Sequence, residues 1–246
     1  MKRIAVAIQK GGTGKTTLAG NLGYALANME YRTALVDCDP QGNLTSWLCT
    51  EPPKSELADV LSGSVTAESA LVQIREDLAI LPTFGIDGSL QSLADMALVS
   101  KPYIFDDLCK KLERLGFAYV VFDLSPGMSL LEKYVILAAD EVITPLTPEF
   151  FSLDGIEIFA NELQKINRDY RRKVKHTKIV ANAVNRSFRR HTAIYDRLAA
   201  LNYELFTIGQ DSRLAESQLY HETIFTYASD SRTIPEIQRL AQALGR

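Results

Sequence analysis

Residues 8–20, IQKGGTGKTTLAG, constrain the fold more than any other part of this chain. They join an apolar, β-branched run at residues 3–8 to a stretch of helical periodicity that begins at residue 16. The turn between them contains three glycines: Gly11, Gly12 and Gly14. Glycine tolerates positive φ angles, which let successive backbone N–H groups point to one spot, and the start of a helix adds a positive dipole there. The segment therefore predicts a strand, an anion-binding turn and a helix in succession.

The residues after the glycines indicate that the anion is a nucleotide phosphate. The ordinary phosphate-loop pattern, G-x-x-x-x-G-K-[ST], is matched by Gly14, Lys15 and Thr16, whereas Gln9 stands where the pattern has its first glycine. In such loops the lysine reaches the β- and γ-phosphates and the hydroxyl ligates Mg²⁺. A ligand-free turn would explain the glycines but not the Lys-Thr-Thr sequence. Lys10 is an additional lysine outside the ordinary pattern.

Further along the chain, short apolar runs alternate with segments of helical period. The predicted strands after residues 3–8 are 33–37, 78–82, 118–123, 141–146, 178–184 and 203–208. The predicted helices are 16–30, 101–116, 152–170, 192–202 and 233–245. The strands are apolar on both faces, as strands covered by helices are. The alternation predicts an α/β fold, a doubly wound and mostly parallel sheet of seven to eight strands with helices on both faces, and the phosphate-loop motif makes it a P-loop NTPase fold.

Composition argues against a disordered, a membrane-spanning or a secreted protein. The 246 residues are 46% hydrophobic and 23% charged, which argues against disorder, and no apolar run reaches the ~18 residues of a membrane span. The N-terminus reaches glycine too early for a signal peptide, so a cytoplasmic protein is predicted. No linker divides the chain, and a single domain over residues 1–246 is predicted, with the irregular residues 50–100 as an elaboration. Cys38, Cys49 and Cys109 form no C-x-x-C pair, so neither a disulfide framework nor a zinc site is predicted.

Three aspartates follow predicted strands, at the edge where ligands bind in open α/β sheets. Asp37 and Asp39 end the second predicted strand, and Asp123 ends the fourth. Each could be a simple turn residue. Nucleotide hydrolysis, however, needs carboxylates to hold the shell of Mg²⁺ and a polar group to orient water. Together with the glycine-rich loop, the aspartates predict one site.

These motifs resemble the ParA/MinD family of P-loop ATPases. KGGTGKTT, residues 10–17, matches the family's deviant Walker A pattern K-G-G-x-G-K-[ST], and DCDPQGN resembles the ParA branch in particular. FDLSPG looks like the Walker B region, and ITPLTPEFFSLDGI, residues 143–156, is similar to the segment that follows it. SRLAES, residues 212–217, resembles a late ParA segment. The resemblance extends over nearly the whole chain.

The resemblance implies roles for the loop residues. Lys10 would cross into the nucleotide of a partner subunit when two ATP-bound chains form a face-to-face homodimer, and Lys15 would serve its own nucleotide. Asp39 would join the two lysines in catalysis by positioning the attacking water. The residues implied to contact ATP are Lys10, Gly11, Gly12, Thr13, Gly14, Lys15, Thr16, Thr17 and Asn182.

Roles away from the loop are implied in the same way. Thr16, Asp37 and Asp123 would support Mg²⁺, the two aspartates largely through water. Asn182 would hydrogen-bond adenine, and its alternative interpretation is a strand-capping residue. Ser125 departs from the family, which has two prolines in that turn, so we expect the backbone there to be less constrained.

One segment of this acidic chain is basic. The formal net charge is −3, yet residues 168–191 contain nine Lys and Arg residues and one acidic residue. A solvated helix end is one interpretation, and a patch that binds the DNA backbone without sequence preference is the other. The resemblance to ParA adds an arginine in SRLAES. The predicted DNA-binding residues are Arg186, Arg189, Arg190 and Arg213.

The resemblance therefore implies an ATPase for plasmid or chromosome partition. The ATP-bound dimer would bind DNA on the nucleoid and be released by slow hydrolysis that a ParB-like adaptor stimulates. The length predicts no N-terminal helix-turn-helix extension. The alternative is a MinD-like regulator that cycles on membranes, which needs a basic amphipathic C-terminal helix. Residues 234–244 have the spacing of a core-packed helix, so no stable membrane association is predicted, and the cysteines lack the pair that an iron-sulfur reductase would need.

Overall fold

The fold is built on one open, twisted β-sheet. The computed structural model describes residues 1–96, 98–149, 152–185 and 187–245. Eight strands lie in the order β3-β4-β2-β5-β1-β6-β7-β8, and all are parallel to their neighbours except β3, which is antiparallel to β4. The strands are β1 (Lys2–Val6), β2 (Thr33–Cys38), β3 (Val72–Arg75), β4 (Leu78–Leu81), β5 (Tyr119–Leu124), β6 (Glu141–Leu146), β7 (Lys175–Val184) and β8 (Glu204–Gly209). The predicted fold class is confirmed.

Helices cover both faces of the sheet. They are α1 (Lys15–Ala27), α2 (Asn43–Leu48), α3 (Leu57–Ser62), α4 (Ala67–Ala70), α5 (Leu90–Met96), α6 (Ile104–Arg114), α7 (Leu130–Ala138), α8 (Ser152–Asp169), α9 (Arg189–Ala199), α10 (Arg213–Leu219), α11 (Ile224–Tyr227) and α12 (Thr233–Leu244). One apolar core lies between the sheet and α3, α5, α6, α7 and α8, and a second lies between the sheet and α1, α2, α11 and α12.

Of the eight strands, β3 is the one that sequence patterns did not predict. β3 is an edge strand whose residues are at best half-buried, so it lacks the two-sided apolar signal of the buried strands. β7 begins three residues earlier than predicted, at Lys175. Its polar start is accommodated because Glu141 of β6 accepts hydrogen bonds from Thr177 and Lys178.

Glycines allow α1 to lie close to its neighbours. A Cβ on Gly20 would stand 2.3 Å from the Trp47 ring of α2, and one on Gly23 would stand 2.6 Å from Leu35 of β2. Neither position has room for a larger residue. The start of α1, and with it the glycine-rich loop, is thereby held against the ends of β1 and β2.

The C-terminal helix packs as its apolar spacing predicted. In α12 the side chains of Ile237, Leu240, Ala241 and Leu244 are buried, and the helix contacts α1. Within the described ranges, no helix combines the length and hydropathy that crossing a bilayer requires.

Candidate functional site

The loop between β1 and α1 has the backbone conformation that its glycines predicted. Gly12 and Gly14 adopt φ angles of 70° and 87°, and Gly14 is the N-cap of α1. A Cβ on Gly14 would stand 2.2 Å from the side-chain nitrogen of Asn182, so that glycine is required by space as well as by φ. Residues 11–17 line an open cavity of about 590 Å³. The other lining residues include Asp39, Gln41, Asn43, Ser46, Trp47, Pro126, Ala215, Gln218 and Leu219.

Lys15 lies buried at the base of this cavity. Its Nζ donates a hydrogen bond to the carbonyl of Lys10 at 2.9 Å across the loop. Burial lowers the pKa of Lys15, and the negative charges of Asp123, Asp39 and Glu132 oppose that shift. This desolvated ammonium donates to a neutral carbonyl. An anion in the cavity would be a stronger partner.

Lys10 occupies a different position. Its side chain is about one-third exposed, and Nζ forms an ion pair with Glu149, 2.7 Å away in the segment after β6. Sequence patterns did not single out Glu149, although it lies within residues 143–156, the segment that resembles the family. The two lysines thus have separate surroundings, since one is buried in the cavity and the other is held at the surface.

Two buried carboxylates lie side by side at the end of the sheet. Asp37 of β2 and Asp123 of β5 are paired in the strand register. Asp37 accepts hydrogen bonds from the Thr45 backbone at 2.8 Å, the Thr45 hydroxyl at 2.7 Å and the Asp39 backbone at 3.2 Å. Burial nevertheless raises the pKa of Asp37 to about 7.

The carboxylate of Asp123 has fewer hydrogen bonds than that of Asp37. Among the described residues, neither of its carboxylate oxygens has a hydrogen-bond partner in good geometry, although both are buried. Burial raises the pKa of Asp123 well above its usual range, and the neighbouring Asp37 adds to the shift, while the Thr16 hydroxyl and Lys15 oppose it. An unpartnered buried carboxylate requires either a proton or a cation.

These residues fit a hydrated Mg²⁺ ion. The described residues contain no group of three or more His, Cys, Asp or Glu side chains that could hold a metal by themselves. Mg²⁺ commonly keeps several waters and takes one or two carboxylates plus phosphate oxygens. Asp123, Asp37 and the hydroxyl of Thr16 supply hard oxygen donors of that kind beside a phosphate-type loop.

Asp39 lies on a rigid loop beside the cavity. Its carboxylate is largely buried and accepts a hydrogen bond from the Gln41 backbone at 2.9 Å. Gly42, at φ 64°, lets this loop approach the next one, since a Cβ there would stand 2.7 Å from the Thr83 carbonyl. Thr83 also bonds to the Thr45 hydroxyl and to the carbonyl of Asp37. Sequence patterns missed Thr45 and Thr83 because their role depends on contacts between separate loops.

Asn182 is hydrogen-bonded to the phosphate-type loop. Its Nδ2 donates to the carbonyl of Thr13 at 2.9 Å, and its Oδ1 accepts from the backbone of Ala183. Ala183 has a φ of 53°, which marks a local irregularity at the end of β7. The predicted adenine contact stays a prediction.

A buried carboxylate connects both ends of the turn after β5. Ser125, which stands in place of a family proline, donates a hydrogen bond to Glu132. Glu132 also accepts from the backbone and hydroxyl of Ser129 at the start of α7. Glu132 thus links Ser125 to the start of α7, and the expectation of a less constrained backbone than in the family stays a prediction.

The basic segment 168–191 does not form one patch. Its first part, through Lys175, lies at the amino ends of the parallel strands, hereafter the amino edge. Residues 187–191 follow β7 at the opposite end, the carboxyl edge, where the cavity lies. The ten residues of β7 separate the two parts by roughly 30 Å. Arg172 and Lys178 are moreover paired with Asp106 and Glu141.

Three of the four predicted DNA-binding arginines, Arg189, Arg190 and Arg213, lie at the carboxyl edge. Arg186 lies outside the described residues, and Arg189 and Arg190 open α9, with side chains that also lie outside the description. Arg213, at the start of α10, forms ion pairs with Asp211 at 2.9 Å and Asp230 at 3.0 Å. A phosphate would have to compete with two carboxylates for it.

Known proteins resemble this chain in sequence. Residues 1–176 match the family model described as an AAA domain. An uncharacterized protein of Borreliella burgdorferi, BBD21, is 44% identical over 246 residues, which cover 99% of each chain. The chromosome partitioning protein ParA of Caulobacter vibrioides is 33% identical over 172 residues, which cover 68% of this chain and 63% of that protein. This chain thus aligns with less than two-thirds of the Caulobacter protein.

Solved structures share the fold. The septum site-determining protein MinD of Pyrococcus horikoshii, complexed with Mg-ADP, superposes with a TM-score of 0.83 at 23% identity, covering 100% of this chain and 96% of that one. Cobyrinic acid a,c-diamide synthase of Mycobacterium smegmatis, with a bound ATP analogue and magnesium, has a TM-score of 0.85 at 25% identity and covers 100% and 94%.

The raised pKa of Asp37 predicts a pH dependence of stability. The folded chain holds a proton on Asp37 up to about pH 7, whereas the unfolded chain loses it near pH 4. The free energy of unfolding should therefore fall as pH rises from 4 to 7, by up to about 1.4 kcal/mol per pH unit for this group, and level off above pH 7. Urea unfolding of Asp37→Asn should show a shallower fall than wild type over that range. Identical slopes would contradict the assignment.

Proposed function

Because this chain belongs to the AAA-domain family matched above and, within it, to the ParA/MinD P-loop ATPases, we propose that it is an ATP-dependent DNA segregation ATPase. Plasmid or chromosome partition is the process that such an enzyme would serve. One observation carries the proposal: a desolvated lysine lines the cavity, and a buried carboxylate without a partner among the described residues lies next to the cavity residues Lys15 and Thr16, with a second lysine at the surface.

ATP and Mg²⁺ are the cofactors that suit this cavity. Bound Mg²⁺ would supply charge neutralisation for the transferred phosphoryl group. The loop amides and Lys15 would hold the phosphates, and Thr16, Asp37 and Asp123 would hold the ion and its waters. The two solved structures that contain magnesium with a nucleotide support this assignment by their shared fold.

Asp39 is suited to position the attacking water. It lines the cavity, and the close contact of Gly42 with Thr83 fixes its loop. A carboxylate held rigidly beside the phosphates can accept a hydrogen bond from water without paying for reorganisation during the reaction. Hydrolysis would be slow in the isolated chain and would be stimulated by a ParB-like adaptor.

Lys10 would make ATP binding and dimerisation interdependent. A homodimer that buries two nucleoside triphosphates gathers negative charge at its interface, which favours a cation from each side. In this chain the ammonium of Lys10 is paired with Glu149 of the same subunit. Entry into the partner's site would exchange that exposed ion pair, which contributes little, for a charge-assisted contact with phosphate.

Nucleoid DNA is the proposed binding partner of the ATP-bound dimer. Dimerisation would join two weak basic surfaces, each made of Arg189, Arg190 and Arg213 at the carboxyl edge together with Arg186, into one stronger surface. Dissociation constants for non-specific DNA are on the order of 10⁻⁴ to 10⁻⁶ M, and binding weakens steeply as salt is added. The protein would then be cytoplasmic and associated with the nucleoid. The buried apolar face of α12 favours this function over a MinD-like membrane cycle, because that face is already occupied.

For the dimer, we expect Lys10→Ala to retain nucleotide binding but to weaken ATP-dependent dimerisation at least tenfold. Loss of the cation leaves the phosphates' repulsion uncompensated. Sedimentation with a non-hydrolysable ATP analogue measures the effect. Lys101→Ala, which removes an exposed lysine outside the cavity, serves as the matched control. A dimer of wild-type strength in Lys10→Ala would contradict the role.

For DNA, the division of the basic segment permits a matched comparison. Replacement of Arg189 and Arg190 by glutamate should abolish ATP-dependent, salt-sensitive DNA retention. The same two-charge reversal at the exposed Arg171 and Lys173 of the amino edge should leave retention within about twofold of wild type. Retention is measured with ADP, with ATP and with a non-hydrolysable analogue at two salt concentrations. Equal losses in both pairs, or none in either, would refute the carboxyl-edge surface.

A further inference from the structure

Gln218 of α10 contacts the phosphate-loop helix from outside. Its side-chain Nε2 donates a hydrogen bond to the hydroxyl oxygen of Thr17 at 2.8 Å, and both residues line the cavity. The Thr17 oxygen accepts in this bond, so its own hydrogen is left to be donated elsewhere. Within the described part of the chain, no acceptor for that hydrogen is recorded.

The segment that carries Gln218 is fixed to α1. Asn21, fully buried one turn beyond Thr17, donates to the carbonyl of Thr17 at 2.8 Å and accepts from the backbone of Ile224 at 3.0 Å. Thr17 is therefore tied to the α10–α11 region twice, once through Gln218 and once through Asn21.

The same segment is also fixed to α2. The indole nitrogen of Trp47 donates to the carbonyl of Glu222 at 2.7 Å, and His221 lies 3.1 Å from the carbonyl of Trp47. Trp47 in turn packs on Gly20 of α1. Because the turn after α10 is held on two sides, the backbone of Gln218 has a fixed position relative to Thr17.

We propose that Gln218 is a positioning residue for nucleotide binding. By donating to the Thr17 oxygen, it orients the hydroxyl so that the hydrogen is available to a phosphate oxygen of the bound nucleotide. Hydrogen bonds from a hydroxyl to an anionic oxygen are among the stronger ones in proteins. The inference rests on the proposed function and adds to it a residue on α10, about 200 positions from the loop in sequence.

The chemistry explains why an amide suits this position. A donor at residue 218 satisfies the Thr17 oxygen and directs the hydroxyl hydrogen away from itself. A carboxylate there could only accept, so it would draw that hydrogen away from the phosphate. An apolar side chain of similar length would leave the hydroxyl free to rotate. The three kinds of side chain therefore predict three different affinities.

A double-mutant cycle on Mg-ADP binding, measured by titration calorimetry, tests the proposal. ADP keeps the measurement independent of hydrolysis. Gln218→Met should weaken ADP binding about five- to tenfold, the range of one lost hydrogen bond. In a Thr17→Val background, Gln218→Met should change affinity less than about twofold, because the hydroxyl that it positions is absent. Gln91→Met, on the exposed face of α5, is the control and should bind as wild type does.

Two results would overturn the proposal. One is wild-type affinity in Gln218→Met, and the other is an equal loss with and without the Thr17 hydroxyl. If Gln218→Met does not fold, as judged by circular dichroism, the near-isosteric Gln218→Glu replaces it. Gln218→Glu should bind ADP more weakly than wild type by at least tenfold, and wild-type affinity there would also overturn the role. A wild-type chain that binds no Mg-ADP would instead refute the proposed function itself, and the inference with it.

Discussion

The structure depends most on the pairing of Asp37 with Asp123 across β2 and β5. The parallel register places two carboxylates side by side in the dry end of the sheet. Asp37 is stabilised by hydrogen bonds, whereas the oxygens of Asp123 lack partners in good geometry within the described residues. Burial raises the pKa of each carboxyl group, and the negative charge of Asp37 adds to the shift at Asp123. A cation or a proton must accompany them, and Lys15 and a hydrated Mg²⁺ are the cations that the surroundings suit.

The remaining features hold the cavity walls next to that buried pair. The glycines set the backbone of the loop, Gly42 brings the Asp39 loop against Thr83, and Glu132 ties down the turn after Asp123. Each of these contacts fixes a polar group before any ligand arrives, which lowers the entropic cost of binding. Lys10 differs from them, because its exposed pairing with Glu149 is readily exchanged. The site therefore combines a rigid base with one movable cation.

Sequence patterns predicted the loop, the aspartates and the class of fold because these signals are local. A glycine spacing, a lysine and a run of β-branched residues can each be recognised within about ten positions. Glu149, Thr83 and Gln218 could not be found in this way, since their roles come from contacts between segments far apart in the chain. In the basic segment, by contrast, the sequence pattern predicted a single charged patch that the fold divides. Nine charges within 24 residues indicate a patch only if the chain stays on one side of the molecule, and β7 carries it across the sheet.

Calorimetric titration of wild-type chain with ADP at pH 7, with and without Mg²⁺ and in buffers of different ionisation enthalpy, tests the central claim most directly. We expect one nucleotide per chain and tighter binding with Mg²⁺. We also expect net proton release in the presence of Mg²⁺, because the ion favours the charged forms of Asp37 and Asp123. Binding that is indifferent to Mg²⁺ and releases no protons would contradict the claim that this carboxylate pair holds the ion.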